Sequence, residues 1–152
     1  MKNITVYYQK KFISIGNYSN NFSETHIKVF EGVIKDNEDQ ETVFNIFNDD
    51  YLNPLSGANT SNKVCFVNNK LVSGKEFQEA MKNKEIKCNH TSMSVGDIVS
   101  VDGINYLCQD IGWKKLINKD EPESGKVYAL TGVEGTKCIA NGNTWAESEV
   151  KE

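Results

Sequence analysis

Cys88, His90, Asp97, Cys108 and Asp110 lie close together in this chain, and their side chains are the parts of a nucleophilic site. A cysteine attacks, a histidine takes its proton, and a carboxylate orients the imidazole. That chemistry requires a base within hydrogen-bond reach of the thiol. Cys88-Asn89-His90 could also offer two zinc ligands, with Cys108 and Cys138 completing a set. No Cys-x-x-Cys pair is present, and the spacing matches no standard zinc module. Cys108 alternates with Tyr106, so the two share a face and are expected to be buried together. His90 reads as a brace for the loop before the next strand, and His26 as a polar residue at a strand edge. The chain lacks a Walker loop, a dinucleotide-binding glycine pattern and a His-Glu-x-x-His motif. The expectation is a protein that is not an enzyme, with no catalytic residue, no metal and no cofactor.

The elements that must position these residues follow from pattern. Val95 to Val101 and Ile104 to Cys108 flank Asp102-Gly103, a strong short-range signal for a tight hairpin. Gly112 marks a bulge or a further turn, after which Trp113 packs back on the sheet. Upstream, Ile4 to Tyr8 and Phe12 to Ile15 alternate as one or two strands, and residues 16–24 are rich in turn formers. His26 to Ile34 reads as another strand, with Ile27, Val29 and Glu31 on one face and a bulge at Gly32. Asp39 caps a short helix whose apolar side is Val43, Phe44, Ile46 and Phe47. Residues 48–62 form a surface loop or a hinge. Lys63 to Val72 forms a hairpin around Asn68-Asn69, and Ser73 with Glu76 forms a capping box opening a helix to about Lys84. The tail repeats the hairpin theme over 127–131 and 136–140, with a closing strand near Trp145. The fold class is α+β, mainly antiparallel sheet of hairpins with two short helices. Residues 1–116 form the core domain, with 63–84 as an inserted hairpin and helix. Residues 117–152 form a C-terminal hairpin extension packed on that core.

Composition narrows the partners. The chain has 152 residues and a net charge of −4, and all 17 of its basic residues are lysine. Arginine is the usual bidentate reader of guanine and phosphate, so its absence argues against sequence-specific nucleic-acid binding, although lysine still holds phosphates. The net charge is too mild for a strong nucleic-acid mimic. No apolar run approaches the roughly 20 residues of a membrane helix. The first residues, MKNITVYYQKKF, lack the apolar core of a signal peptide, so a cytoplasmic protein with free buried thiols is expected. Heavy use of lysine and asparagine fits an AT-rich coding sequence, such as that of a low-GC bacterium or its phage.

Residues 90–116 also carry a resemblance. The run His90-Thr91-Ser92-Met93-Ser94-Val95-Gly96-Asp97-Ile98-Val99, then Asp102-Gly103, Tyr106 and Cys108-Gln109-Asp110-Ile111-Gly112-Trp113-Lys114, resembles the core of YodL-like domains. These occur in small proteins of Firmicutes conjugative elements and phages. The layout of residues 1–48 is similar too: an Ile-x-Val-Tyr start, the strand Ile27 to Ile34, and a helix ending at Phe47-Asn48. Residues 63–84 and the tail after Leu116 fall outside the resemblance. It implies no activity. It implies a mobile-element setting in a bacterial host, where small proteins often bind and disable defence complexes.

Two binding functions follow as expectations. The first is an inhibitor of a host defence nucleoprotein complex, of anti-CRISPR or antirestriction type, acting through a protein target without a membrane and without direct nucleic-acid contact. Its candidate surface residues are Tyr18, Phe22, Asp49, Asp50, Tyr51 and Glu121. The alternative is a small β-barrel binding nucleic acid or nucleotides, with Trp113, Lys114 and Lys115 as a basic-aromatic pair that could stack a base. A strong acidic face would favour the first, and a lysine-lined groove the second.

Overall fold

In the computed structural model, the structure describes residues 1–11 and 22–116, together with the backbone of three short strands beyond them. The chain divides into two units, Met1–Leu116 and Ile117–Glu152. The first unit is built on an antiparallel sheet of seven strands, crossed by two short helices, so the fold is α+β and mainly sheet. Strands β1 (Lys2–Gln9), β2 (His26–Ile34), β3 (Cys65–Val67), β4 (Lys70–Val72), β5 (Ile98–Val101), β6 (Ile104–Cys108) and β7 (Trp113–Lys115) lie in the order β4-β3-β2-β1-β5-β6-β7. Helices α1 (Gln40–Phe47) and α2 (Gly74–Lys82) follow β2 and β4. In the second unit, β8 (Val127–Ala129) pairs with β9 (Cys138–Ile139) and with β10 (Ala146–Glu147).

Period-two alternation sorts the sheet into two faces. Ile4, Val6 and Tyr8 of β1, with Val99 and Val101 of β5, point into the larger core beside Val43 and Phe47 of α1 and Phe77 and Ala80 of α2. Ile98, Leu107 and Leu116 join Phe22 and Tyr7 in a smaller second core. The residues 63–84 extend the first core's sheet: β3 pairs with β2 through Phe30 and Cys65, and Phe77 is fully buried.

Local chemistry sets the joints. Asn68 and Asn69 take φ values of 50° and 66°, and Asp102 and Gly103 take 48° and 84°, the left-handed pairs that a two-residue hairpin needs. Asp39 caps α1 by accepting from the Glu41 amide, and the Ser73–Glu76 capping box opens α2. Gly112, at φ 74°, turns β6 into β7.

Two expectations change. The bulge in β2 falls at Val29, where the partners of Val6 and Tyr7 step from Phe30 to Lys28; Gly32 stays in register opposite Ile4. Gly32 is small because the Phe30 ring lies over it, 2.7 Å from where a Cβ would stand. Residues 48–62 are not a hinge, since Asn53 and Leu55 are buried and tie the loop down. The expected strand at Phe12 to Ile15 lies outside the described residues.

Gly74 shows how tightly that loop is held. A Cβ there would come within 2.2 Å of the Ser56 carbonyl oxygen and 2.6 Å of that of Pro54. Backbone oxygens cannot swing away, so Gly74→Ala is expected to cost about 1–3 kcal/mol in denaturant unfolding, the usual range for overpacking. At Gly57 the nearest atoms belong to the flexible Gln78 amide, and Gly57→Ala is expected to stay within about 0.5 kcal/mol of the parent.

Candidate functional site

The stretch from Cys88 to Asp97 lies across the end of β1 and is held by a polar clasp. Asp97 is fully buried at its centre. One carboxylate oxygen accepts from the Gln9 amide at 2.9 Å, and the other from the Ser94 amide at 2.8 Å and from His90 Nε2 at 2.8 Å. Tyr8 stacks flat on the His90 ring, 8° from parallel with centroids 4.5 Å apart, and its hydroxyl donates to the Thr91 carbonyl at 2.7 Å. The Asn53 amide donates to the same carbonyl at 2.8 Å. His26 Nε2 donates to the Gly96 carbonyl at 2.7 Å, and Gln9 Nε2 to that of Val95 at 2.7 Å. Gly96 must be glycine: its φ is 99°, and the Gln9 side chain occupies the space of a Cβ.

Charge follows from these contacts. Burial by itself would lower the His90 pKa, but the hydrogen bond and charge of Asp97, helped by Cys88, raise it to about 9. Burial raises the Asp97 carboxyl, while His90, Gln9 and Ser94 pull against it. Burial lowers His26, which the Gly96 carbonyl only partly opposes, so His26 is neutral at pH 7.

Of the residues that could do covalent chemistry, Cys88, His90 and Asp97 come together. Cys88 Sγ lies 4.0 Å from His90 Nδ1 and closer, at 3.3 Å, to the His90 carbonyl oxygen. Nδ1 is also 3.2 Å from the Asn89 amide oxygen. An imidazolium held between two acceptors braces a loop and is poorly placed to take a proton from a thiol. Cys108 is buried, and burial, with the charges of Asp97, Glu41 and Asp110, pushes its thiol up to about 12. Asp110 is exposed in the turn before β7. Among the described residues no cluster of three or more His, Cys, Asp or Glu could hold a metal ion. Of Cys138, in β9, only the backbone is described.

Beside the clasp opens a cleft of about 1190 Å³. Lys75, Glu79 and Lys82 line one wall, on the same side of α2 because residues three and four apart are neighbours on a helix. Lys10 and Lys11 from the end of β1, Lys84 and Lys87 after α2, and His90 and Thr91 of the clasp also line it, with Met81 and Ile86 as apolar members. Six lysines thus face one glutamate, in a chain of net charge −4.

A search of family models, of curated proteins and of solved structures finds no match to this chain.

The expected surface residues are scattered. Phe22 is a correction: it is 7% exposed and packs edge-on against Tyr7 in the second core, so it is no contact residue. Asp49 and Asp50 are exposed, and Asp49 caps the turn ahead of it by accepting from the Tyr51 and Leu52 amides. Tyr51 is 91% exposed. Tyr18 and Glu121 lie outside the described residues. Trp113 is half-buried; its indole donates to Glu41 at 2.8 Å and its ring meets Phe44 edge-on, so it is tied to α1, with Lys114 and Lys115 exposed beside it. Sequence pattern does not reveal the six cleft lysines as a group. Their only signal is the doublet Lys10-Lys11 and the density of lysine from 82 to 87.

Removing the clasp's centre is expected to be severe. Asp97→Ala orphans the Gln9 and Ser94 amides and removes the partner that keeps His90 charged, which should cost about 3–5 kcal/mol in equilibrium unfolding. The His90 shift also sets a pH dependence. Its folded pKa of about 9 exceeds the ordinary 6.5, so its contribution is complete below pH 6.5 and disappears as pH rises through about 9. Unfolding free energy should therefore fall between pH 6.5 and 9 in the parent, and this part of the slope should be missing in His90→Gln.

Proposed function

We propose that this chain is a non-enzymatic binding protein whose lysine-lined cleft holds the phosphate backbone of nucleic acid. The observation that carries the reading is the segregation of charge: six lysines and one glutamate around one cleft of an acidic protein. Lysine ammonium groups hold phosphates as point charges, without the paired geometry arginine uses to read bases. Among the described residues, no Phe, Tyr or Trp lines this cleft. Such a surface reads charge rather than sequence, which fits a chain without arginine.

Lys84 adds a second support. It sits just past α2 at a φ of 58°, with its amide donating to the Met81 carbonyl and the Glu85 amide to that of Ala80. This is the Schellman helix end, whose left-handed position favours glycine. A lysine there carries roughly 1 kcal/mol or more of strain, and its side chain lines the cleft. Strain kept at a ligand-facing position is a mark of use.

A second reading keeps the mobile-element setting that the YodL-like resemblance implies: an inhibitor that docks on a host defence complex. It is favoured by the exposed pair Tyr51 and Leu52, 91% and 63% accessible, beside Asp49 and Asp50. Co-purification of tagged protein from a bacterial host would reveal a stoichiometric partner that Tyr51→Ala no longer retains, and a parent that recovers no partner would rule against it.

The cleft reading is tested by anisotropy titrations with labelled oligonucleotides over a range of salt. Affinity should fall with salt, and Lys82→Glu or Lys87→Glu should flatten the log–log slope by about 0.7–0.9 for each phosphate no longer neutralised. Lys84→Gly should separate stability from binding. It is expected to raise unfolding free energy by about 1 kcal/mol while weakening the complex. Binding unaffected by all three substitutions would refute the assignment.

A further inference from the structure

Glu79 is the odd member of the lysine cleft. It lies on α2 between Lys75 and Lys82, four residues from one and three from the other. The three side chains therefore share one side of the helix, in the order cation, carboxylate, cation. All three are exposed. Among the described residues, Glu79 forms no ion pair with either lysine. Glu76, one turn back, is instead committed to the Ser73 amide and to Lys63. A carboxylate accepts hydrogen bonds and donates none. Among groups that hold phosphate it repels the phosphates, unless the ligand brings it a donor.

Resting on the phosphate-binding reading, we propose that the ligand is RNA, and that Glu79 accepts a hydrogen bond from a ribose 2′-hydroxyl lying between two phosphates held by Lys75 and Lys82. A nucleic-acid backbone alternates phosphate and sugar, and this wall of α2 alternates cation and acceptor in the same sense. Lys75 and Lys82 stand about 10 Å apart along the helix at a rise of 1.5 Å per residue, and their flexible stems close that span onto neighbouring phosphates. The 2′-hydroxyl is the donor that an RNA backbone carries and a DNA backbone lacks. Deoxyribose leaves Glu79 facing phosphates alone. Such recognition reads the sugar and no base, in keeping with a cleft that holds charge without arginine.

The experiment compares three labelled strands of equal length on the full chain: oligouridine, oligodeoxyuridine, and 2′-fluoro oligouridine, which keeps the ribose pucker and loses the donor. Donors on the base edge are common to all three and cannot separate them. Oligouridine should bind the parent roughly 3- to 10-fold more tightly than either of the others, the worth of one net hydrogen bond at an open site. Glu79→Ala, at an exposed helix position that alanine suits, should bind the deoxy and fluoro strands more tightly and erase the difference among the three. A carboxylate that only sets the charge of the cleft would shift all three strands equally, so an RNA preference kept in Glu79→Ala would overturn the role of Glu79. Equal binding of the three strands by the parent, or a fluoro strand as tight as oligouridine, would overturn the proposal and leave the lysine cleft standing. No binding of any probe would overturn both.

Discussion

The buried Asp97 carboxylate is the contact on which the rest of this unit depends. Its three donors come from β1, from the turn at Ser94 and from His90, so one side chain joins the central strand to the loop that precedes β5. A buried carboxylate is costly unless every lone pair is engaged and a countercharge is near. Here three donors and the His90 countercharge offset most of that cost, and the arrangement fixes where β5 begins. Tyr8, His26, Gln9 and Asn53 grip the same loop through its carbonyls. The loop is therefore as well determined as a strand, without belonging to one.

That rigidity shapes the neighbouring cleft. His90 and Thr91 belong to both the clasp and the cleft wall. With the wall fixed, the end of β1, α2 and the segment after α2 bring six lysines around one opening, and their mutual repulsion is what a bound anion would relieve on the proposed reading. The left-handed Lys84 is the local expression of the same tension. Fold stability would be served by a glycine there and by fewer like charges, and the chain carries neither.

Most of the fold is legible in the sequence because it rests on local rules. Asn68-Asn69 and Asp102-Gly103 dictate tight turns, Asp39 and Ser73 dictate helix starts, and alternation in β1 and β5 dictates faces. The bulge at Val29 is not legible, since it depends on which β1 residues sit opposite. Phe22 reads as surface because nothing local shows that Ile98, Leu107 and Tyr7 converge on it. The cleft is illegible for a similar reason. Its lysines come from two segments more than sixty residues apart, 10–11 and 75–87, and overall net charge hides their meeting. The triad-like grouping of Cys88, His90 and Asp97 is visible in the chain, but the bonds from Asp97 to the Gln9 and Ser94 amides are not, because they depend on how the loop folds against β1.

The central claim is that nucleic-acid phosphates are bound at the lysine cleft. The most direct test is a titration of isotope-labelled protein with an oligonucleotide, followed by amide chemical shifts. The account predicts saturable, salt-sensitive shifts concentrated at Lys10, Lys75 and Lys82 to Thr91. Shifts centred instead on Tyr51 and Leu52, or no shifts at oligonucleotide excess in low salt, would contradict it.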